Sequence, residues 1–370
     1  MTEYRYNTVV VGGGIAGLTS TAYLARAGKK VLLIEKNREC GGLVNSFSRD
    51  GFHFDTGVRA LEDAGIIFPM LRDLGIDLEV VGSPVSVGIE DEIIHIENID
   101  SLAKYRDLLL KFYPGNGDEI DELMKTIKQI MKHMDVLYGI ENPFFKDLFH
   151  DRSFIFRQLL PWLPKFIFTI GKINRMNTPV EDYLKTFIKN QSLRDIIAQH
   201  FFKNTPAFFA MSYFSLYLDY FYPRGGVGKL PDAIQKKIRE SGGEIRTETR
   251  IIGLNTEECF VRDQNDNLYR YENLVWAADL KTLYNLTDIA SLRPQVRIKY
   301  EAEKAKFSAN RGGDSVFSLF VEVNEPLESF RKIAHGHFFY TPSRQGLGKT
   351  HRDELDDLIR NFGQTEKTRI

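Results

Sequence analysis

Residues 9–42 read VVVGGGIAGLTSTAYLARAGKKVLLIEKNRECGG, and this stretch decides the fold. Its first three valines predict a strand that is buried on both faces. Three glycines follow, and a helix pattern then runs to about Ala27, before Gly28, a typical helix-ending residue. A second apolar strand, residues 31–34, ends on Glu35. The stretch therefore predicts a β-α-β unit that begins an α/β domain.

A G-x-G-x-x-G pattern joins the first strand to the helix. Gly12 permits the tight turn, Gly14 lets a diphosphate approach the backbone, and Gly17 lets the helix pack close to the strand. The carboxylate of Glu35 can accept hydrogen bonds from both hydroxyls of an adenosine ribose. A glycine-rich turn in an unrelated α/β domain would leave the position of that carboxylate unexplained. We therefore predict dinucleotide binding, with the cofactor-binding residues Gly12, Gly13, Gly14, Ala16, Gly17 and Glu35.

Later motifs indicate which dinucleotide binds. They are, in order, the pair Gly41–Gly42 after the basic residue Lys36, GFHFDTG at 51–57, YPRGGVGKL at 222–230 and LVWAAD at 274–279. With the first motif they cover residues 7 to about 345, in the order found in FAD-dependent flavoproteins of the phytoene desaturase, carotenoid isomerase and retinol saturase group. The chain resembles this group, which belongs to the amine-oxidase-like superfamily. The resemblance implies FAD as the cofactor.

The resemblance also implies a two-part α/β fold. One part is a Rossmann-like FAD-binding domain of the glutathione-reductase type. The other is an α+β substrate domain with an antiparallel sheet and a helical cap. We expect the FAD-binding domain at 1–77 and 223–293, the substrate domain at 78–222 and 294–345 with a strand at 315–323, and a C-terminal helix at 346–370.

The resemblance places further residues beside FAD. In the family, residues around the D-x-G of the 51–57 motif lie against the flavin ring, and a residue near 251 contacts the adenine through its backbone. Arg250 is the alternative to Ile251 for that contact. The implied cofactor-binding residues are Lys36, Gly41, Gly42, Leu43, Thr56, Gly57, Val58, Arg59, Ile251 and Ala278.

Arg59 departs from the family, whose members often carry an uncharged residue or a histidine at this position. Its guanidinium can stabilise a reduced, anionic flavin or bind an acidic group of the substrate. The alternative is a structural ion pair with Glu62 or Asp63, and such pairs are often weak. For an acid or a base that assists the reaction, the candidate catalytic residues are Arg59, Tyr222 and Arg224.

Residues 154–170 are strongly apolar and aromatic, but two prolines and two basic residues interrupt them, so they do not predict a transmembrane helix. One interpretation is a lid over an elongated apolar cavity that also contacts the membrane interface, with Trp162, Arg157 and Lys165 as anchors. The other is a helical cap packed within the substrate domain. A second aromatic cluster at 201–222 suits either a pocket for an extended hydrophobic substrate or an ordinary helix core.

Composition narrows the possible partners. The chain has 370 residues, 43% of them hydrophobic, and a net charge of −1, which fits a two-domain globular protein and gives no indication of a nucleic-acid partner. Two cysteines do not form a disulfide framework, and the first residues lack the apolar core of a secretory signal. We predict a cytoplasmic protein, peripheral to the membrane if 154–170 contacts it. No metal site is predicted, because His95 has no partner at metal spacing. The oligomeric state stays open.

The resemblance implies an FAD-dependent oxidoreductase of the desaturase or saturase type. Its flavin N5 would exchange a hydride with an extended, hydrophobic, unsaturated substrate, such as a carotenoid, a retinoid or another isoprenoid. Redox-neutral isomerisation of a polyene by reduced FAD is the alternative. A plain NAD-linked dehydrogenase is disfavoured by the glycine pairs at 41–42 and 225–226.

The end of the chain departs from the family. Relatives finish with a strand, a glycine-rich turn and a helix that close the flavin site. Here, residues 351–362 predict an amphipathic helix instead, and the glycines at 312–313 only precede a predicted strand. We therefore expect the chain to lack the flavin-closing segment, and a non-catalytic nucleotide-binding remnant is the third hypothesis.

Overall fold

The computed structural model describes residues 2–146, 148, 150–198, 200–202, 204–310, 316 and 318–346. The strands are β1 (Glu3–Val11), β2 (Val31–Ile34), β3 (Ser46–Arg49), β4 (Phe52–Asp55), β5 (Leu61–Glu62), β6 (Val80–Gly82), β7 (Val85–Ile89), β8 (Glu92–Ile96), β9 (Tyr220–Pro223), β10 (Glu244–Arg246), β11 (Ile251–Asn255), β12 (Phe260–Asp263), β13 (Leu268–Trp276) and β14 (His337–Thr341). The helices are α1 (Ile15–Arg26), α2 (Ile67–Leu74), α3 (Ser101–Phe112), α4 (Gly117–Tyr138), α5 (Arg152–Phe154), α6 (Leu160–Ile173), α7 (Val180–Lys185), α8 (Gln191–Ala198), α9 (Ala207–Leu216), α10 (Lys229–Glu240), α11 (Leu280–Leu286), α12 (Pro294–Ala309) and α13 (Leu327–Arg331).

The chain divides into two compact units. The first holds the residues up to Leu61, then Ile67–Val81 and Phe221–Val321, and the second holds Glu62–Ile66, Gly82–Tyr220 and the described residues from Glu322 onward. The first unit contains β1, β2, β13 and the glycine motifs of the predicted FAD-binding segments, whose domain role stays a prediction. The return to the second unit begins at Glu322 rather than at the expected Pro294, because helix α12 belongs to the first unit.

A six-stranded sheet forms the framework of the first unit. Its order is β10-β2-β1-β13-β12-β11. Strands β10, β2, β1 and β13 run parallel, whereas β12 pairs antiparallel with both of its neighbours. The valines of β1 are buried because the strand lies in the middle of the sheet, with Val9 opposite Leu32 on one side and Leu274 on the other. This arrangement confirms the predicted Rossmann-like fold class.

Helix α1 packs against this sheet through one face. Leu18, Ala22 and Ala25 are buried, as the spacing predicts. Small alanines let the helix approach the strands and the neighbouring helix α10 closely. The packing fixes the start of α1 at the carboxyl ends of the parallel strands, where ligands bind in such sheets.

The second unit combines a three-stranded sheet with helices. Strands β7 and β8 are antiparallel, as predicted, and β14 adds to β7 in parallel. The long helix α4 packs within this unit through one apolar face. Its buried apolar face consists of Ile120, Leu123, Met124, Ile127, Ile130, Met131 and Met134.

Two elements were predicted near the end of the chain, a strand at 315–323 and a helix at 351–362. The expected strand at 315–323 is wrong for the residues that the structure describes, since residue 316 and residues 318–323 have no regular secondary structure. The side chain of Phe320 packs on the rings of Phe47 in β3 and Phe54 in β4, but the backbone of the described residues pairs with no strand, and an apolar pattern becomes a strand only where a partner completes the ladder. The predicted helix at 351–362 lies outside the described residues.

Among the helices that the structure describes, none has both the length and the apolar composition needed to cross a bilayer.

Candidate functional site

Two glycines of the first motif are required by packing. Gly12 has a φ of +107°, and a Cβ on it would lie 2.6 Å from the carbonyl oxygen of Ala277. A Cβ on Gly17 would lie only 1.9 Å from the carbonyl oxygen of Gly12. The turn and the start of α1 therefore approach each other as the motif predicts, and Ala278 follows directly beside them.

Gly14, the middle glycine of the pattern, faces open space instead. Gly14 precedes the first residue of α1, and a Cβ on it would meet no described atom within 4 Å. No described side chain caps this helix end, and its first turn contains no acidic residue. The exposed Ala16 and the paired Gly41 flank the same position. Amide groups at such a helix start favour an anion, so this cradle fits the diphosphate of FAD.

Glu35 is held in place from both sides. Its side chain is only 8% exposed, and its Oε2 accepts a 2.6 Å hydrogen bond from the amide of Gly13. Its Oε1 accepts one of 2.8 Å from the amide of Asn37. Each carboxylate oxygen has a second lone pair, so the two oxygens still have capacity for ribose hydroxyls. The two acceptor oxygens of Glu35 therefore fit the ribose hydroxyls of the predicted nucleotide.

The predicted adenine contact lies beside Glu35. The amide of Thr249 donates to the carbonyl oxygen of Glu35 at 2.9 Å, which places the next two residues, Arg250 and Ile251, at this edge of the sheet. Ile251 turns its side chain into the core, whereas Arg250 is exposed. Lys36 is also exposed, directly after Glu35.

The predicted ring contacts come together from two segments. The amide of Val58 donates to the carbonyl oxygen of Leu43 at 3.1 Å, and a Cβ on Gly57 would lie 2.8 Å from the same oxygen. The side chain of Leu43 is 78% exposed. Arg59 and Thr56 are exposed on the same segment. The structure thus brings residues 41–43 and 56–59 to one surface of the first unit.

Asp55 is a central residue that sequence reasoning missed. Its Oδ1 accepts hydrogen bonds from the hydroxyl of Ser46 at 2.6 Å and from the amide of Val227 at 3.0 Å. Its Oδ2 accepts one from the hydroxyl of Tyr222 at 2.7 Å. The hydroxyl of Ser46 in turn accepts from the amide of Gly228 at 2.9 Å. One carboxylate therefore joins the 51–57 motif to the 222–230 motif. The acidic residue within GFHFDTG was the sequence signal from which this role could have been inferred.

The glycine pair of the 222–230 motif packs against protein. Gly225 and Gly226 have φ values of +90° and +102°. A Cβ on Gly226 would lie 2.7 Å from the hydroxyl oxygen of Ser46 and 2.8 Å from Nε2 of His53. This glycine is therefore needed for the close approach of the two motifs, whether or not a ligand is bound.

The candidate catalytic residues differ in their surroundings. Burial and the bond to Asp55 raise the pKa of Tyr222 well above its usual value, so its phenol stays protonated. The side chain of Arg224 pairs with Glu79 at 2.5 Å in an exposed position. Arg59 is exposed. The structure brings Tyr222 into the Asp55 network and places Arg224 outside it, and their catalytic roles stay predictions.

Cys40 and His95 have surroundings that bear on their chemistry. Cys40 lies against Gly13, and burial together with the charge of Glu35 raises the pKa of its thiol to about 11, so the thiol is protonated at neutral pH. The ring of His95 contacts that of His335, with ring centroids 4.5 Å apart and the ring planes tilted by 54°, a contact that the sequence did not predict. Among the described residues, no group of three or more metal-ligating side chains could hold a metal ion.

The second aromatic cluster lines a small cavity in the second unit. The cavity measures about 40 Å³. Burial lowers the pKa of His200 to about 4, so its imidazole is neutral at pH 7. The lining is otherwise apolar or aromatic and consists of Val87, Ile96, Tyr105, Ile127, Ile197, Phe201, Ala210, Met211, Tyr213, Phe214 and Tyr217.

With this geometry in place, comparison with known proteins identifies the family. The family model described as flavin containing amine oxidoreductase matches residues 15–351. The chain belongs to this family. This assignment confirms the predicted family and the predicted FAD cofactor.

Individual relatives agree with the family. An all-trans-retinol 13,14-reductase from Danio rerio is 24% identical, and the match covers 96% of this chain and 58% of that protein. A carotenoid 3,4-desaturase from Haloarcula japonica is 27% identical over 66% of this chain and 50% of its own. The chain spans about half the length of the curated relatives it matches.

The fold itself recurs in solved structures. The crystal structure of an oxidoreductase from Methanosarcina mazei matches with a TM-score of 0.57 and 17% identity, over 80% of this chain and 64% of that one. At this level of identity the likeness concerns the fold alone.

Proposed function

We propose that the chain is the FAD-binding part, with an attached substrate unit, of an oxidoreductase that acts on an extended, hydrophobic, unsaturated compound. The single observation that carries the proposal is the fit of FAD to the Gly14 cradle and the fixed carboxylate of Glu35. Relatives whose names give retinol and a carotenoid as substrates support the substrate class.

FAD, when bound, supplies hydride exchange at its ring nitrogen N5. The residues of the chain would do the remaining work. The amides at the start of α1 would bind the diphosphate beside Gly14, and Glu35 would accept the ribose hydroxyls. Residues 41–43 and 56–59 would lie along the ring, where the charge of Arg59 would stabilise negative charge.

The second unit would hold the apolar part of the substrate in a more open form than this one, because its cavity of about 40 Å³ is far smaller than the roughly 300 Å³ at which ligand pockets begin. Its cavity is lined by aromatic and aliphatic side chains, with one neutral imidazole, that of His200. Such a lining binds an apolar chain by burial and offers it no charged partner. The hydroxyls of the surrounding tyrosines stay protonated, because burial raises the pKa of Tyr105 and Tyr217 above the usual value.

Titration with FAD tests the cofactor site. The purified chain should bind FAD with a measurable heat and a shifted flavin absorbance spectrum, and Glu35→Ala should weaken binding at least about tenfold, because a charge-assisted bond is lost. Glu39→Ala, an exposed acid four residues away, is the matched control and should bind like wild type. Folded wild-type protein that binds no FAD, or an unchanged Glu35→Ala variant, would refute the assignment.

Addition of a retinoid or a carotenoid without oxygen tests the reaction. A change in the redox state of bound flavin together with a desaturated or saturated product supports the oxidoreductase. A geometric isomer formed with no net change in the flavin supports the isomerase alternative instead. Neither product, from folded protein that has bound FAD, supports the remnant.

We also propose that helix α6 and the turn before it contact a membrane surface from which such a substrate would arrive. Exposed apolar side chains recur at three- and four-residue spacing along this segment, at Phe156, Leu160, Leu163 and Ile167. Residues 152–180 contain five basic side chains and no acidic one. An apolar stripe beside positive charge is typical of a helix that lies in the interface of an anionic membrane.

The predicted anchor Trp162 turns inward instead. Its indole donates to the carbonyl oxygen of Val136 at 2.5 Å and stacks on Phe166. Trp162 therefore attaches the segment to helix α4, and the exposed stripe is left to make the membrane contact. Vesicle flotation of wild type and of the double variant Phe156→Ser with Ile167→Ser tests the contact. If α6 binds the membrane, the double variant should lose binding to vesicles.

A further inference from the structure

A basic groove runs beside helix α6 in the second unit. It has a volume of about 730 Å³ and is formed by α3, α4 and the last turn of α6. Lys125, Lys128 and Lys132 follow one another at three- and four-residue spacing, so they lie on one face of α4. Lys172 of α6 faces them across the groove.

The positive charge of the groove is largely uncompensated. Its one acidic residue, Asp121, accepts hydrogen bonds from two nitrogens of the Arg106 guanidinium, at 2.6 and 3.2 Å. Lys128, Lys132 and Lys172 are exposed and have no ion-pair partner among the residues that the structure describes. Like charges at this spacing repel one another, so an anion that binds between them would relieve a cost of the fold.

The groove lies beside exposed apolar surface of α6. The ammonium group of Lys172 lies 5.5 Å from the ring centroid of Phe168, which is itself 73% exposed. Positive charge and exposed apolar surface therefore lie side by side on one helix. A dissolved phosphate would use only the charge, whereas a lipid offers a phosphate and an apolar chain at this same separation.

We propose that the α4–α6 groove binds the phosphate group of an anionic phospholipid while the α6 stripe enters the acyl region. The proposal rests on the proposed membrane contact of α6 and adds a lipid selectivity to it. The lysines would hold the headgroup, and its phosphate would neutralise Lys128, Lys132 and Lys172 together. Binding would therefore be stronger on anionic vesicles than on neutral ones, and it would weaken with added salt.

Vesicle flotation of the full chain tests the selectivity. One vesicle is pure phosphatidylcholine, and the other has three parts phosphatidylcholine to one part phosphatidylglycerol. Wild type should bind the anionic vesicle at least about tenfold more strongly, and Lys128→Ala with Lys132→Ala and Lys172→Ala should remove that difference. The matched control removes three exposed lysines of the first unit, Lys236, Lys299 and Lys306, and should keep it.

The outcomes separate this proposal from the one on which it rests. An unchanged preference for anionic vesicles in the groove variant would refute the groove, while loss of all binding in the α6 variant would still support membrane contact. Wild type that binds neither vesicle would refute both. Displacement from the anionic vesicle by inorganic phosphate or glycerol phosphate, under conditions where sodium chloride of equal ionic strength has no effect, would identify a site for a free anion and overturn the lipid assignment. An unchanged circular dichroism spectrum and an unchanged thermal unfolding midpoint show that each variant is folded.

Discussion

The first unit contains two glycine-rich turns that look alike in sequence and differ in what their glycines face. At 12–17, Gly14 faces open space at a helix start. At 225–228, a Cβ on Gly226 would lie less than 3 Å from Ser46 and His53. In the first turn Gly12 and Gly17 pack against backbone and Gly14 leaves space for a ligand, whereas in the second turn Gly226 packs against side chains of the protein. A glycine motif states only that something approaches the backbone closely, and the structure shows which partner does.

Gly17→Ala should have the largest effect on the first turn. The new methyl group would meet the backbone oxygen of Gly12 at 1.9 Å, and backbone cannot move aside as a flexible side chain can. We expect a loss of about 3 kcal/mol in the free energy of unfolding, measured by denaturant titration without FAD. Stability within about 0.5 kcal/mol of wild type would contradict the packing role.

Gly226→Ala should come next and should also act on stability. The alanine would have to adopt a φ of +102° and would meet Ser46 and His53, so we expect a loss of about 2 kcal/mol. Combination with Ser46→Ala separates the two causes, because removal of the hydroxyl relieves the contact and leaves the backbone strain. A variant as stable as wild type would show that the turn is not shaped by its protein neighbours.

Gly14→Ala gives the opposite result in this comparison. Its φ of −69° suits alanine, and the methyl group would enter open space. The protein without FAD should keep its stability, while the affinity for FAD should fall about tenfold, because the methyl group occupies the place of the diphosphate. Calorimetric titration measures the affinity. An affinity equal to that of wild type would place the diphosphate elsewhere.

Tyr222→Phe should have the smallest effect. It removes one of the three hydrogen bonds that Asp55 accepts and leaves those from Ser46 and Val227. A loss of about 1 kcal/mol in the free energy of unfolding is expected. Asp55→Asn at the same network should cost more, because it also removes the charge. If Tyr222→Phe abolishes turnover and leaves stability unchanged, Tyr222 acts in catalysis and not in the connection of the two motifs.

The β-α-β unit and the position of Glu35 at its end could be predicted because their signals are local in sequence. The connection from Asp55 to Tyr222 could not, since 55 and 222 are brought together only by the folded chain. The parallel addition of β14 to β7 is distant in the same way. The basic groove needs both α4 and α6, and each helix alone reads as an ordinary amphipathic helix. The strand expected at 315–323 was wrong for the described residues, because Phe320 packs on β3 and β4 through its side chain while the backbone forms no strand pairing.

The two backbone bonds to Glu35 have a consequence for how the nucleotide is recognised. The side chain occupies its binding rotamer before any ligand arrives, so no freedom of that side chain remains to be lost on association. The adenosine end should therefore dock as a rigid, prearranged half-site. ADP alone should occupy it and compete with FAD, even though ADP has no isoalloxazine to contribute.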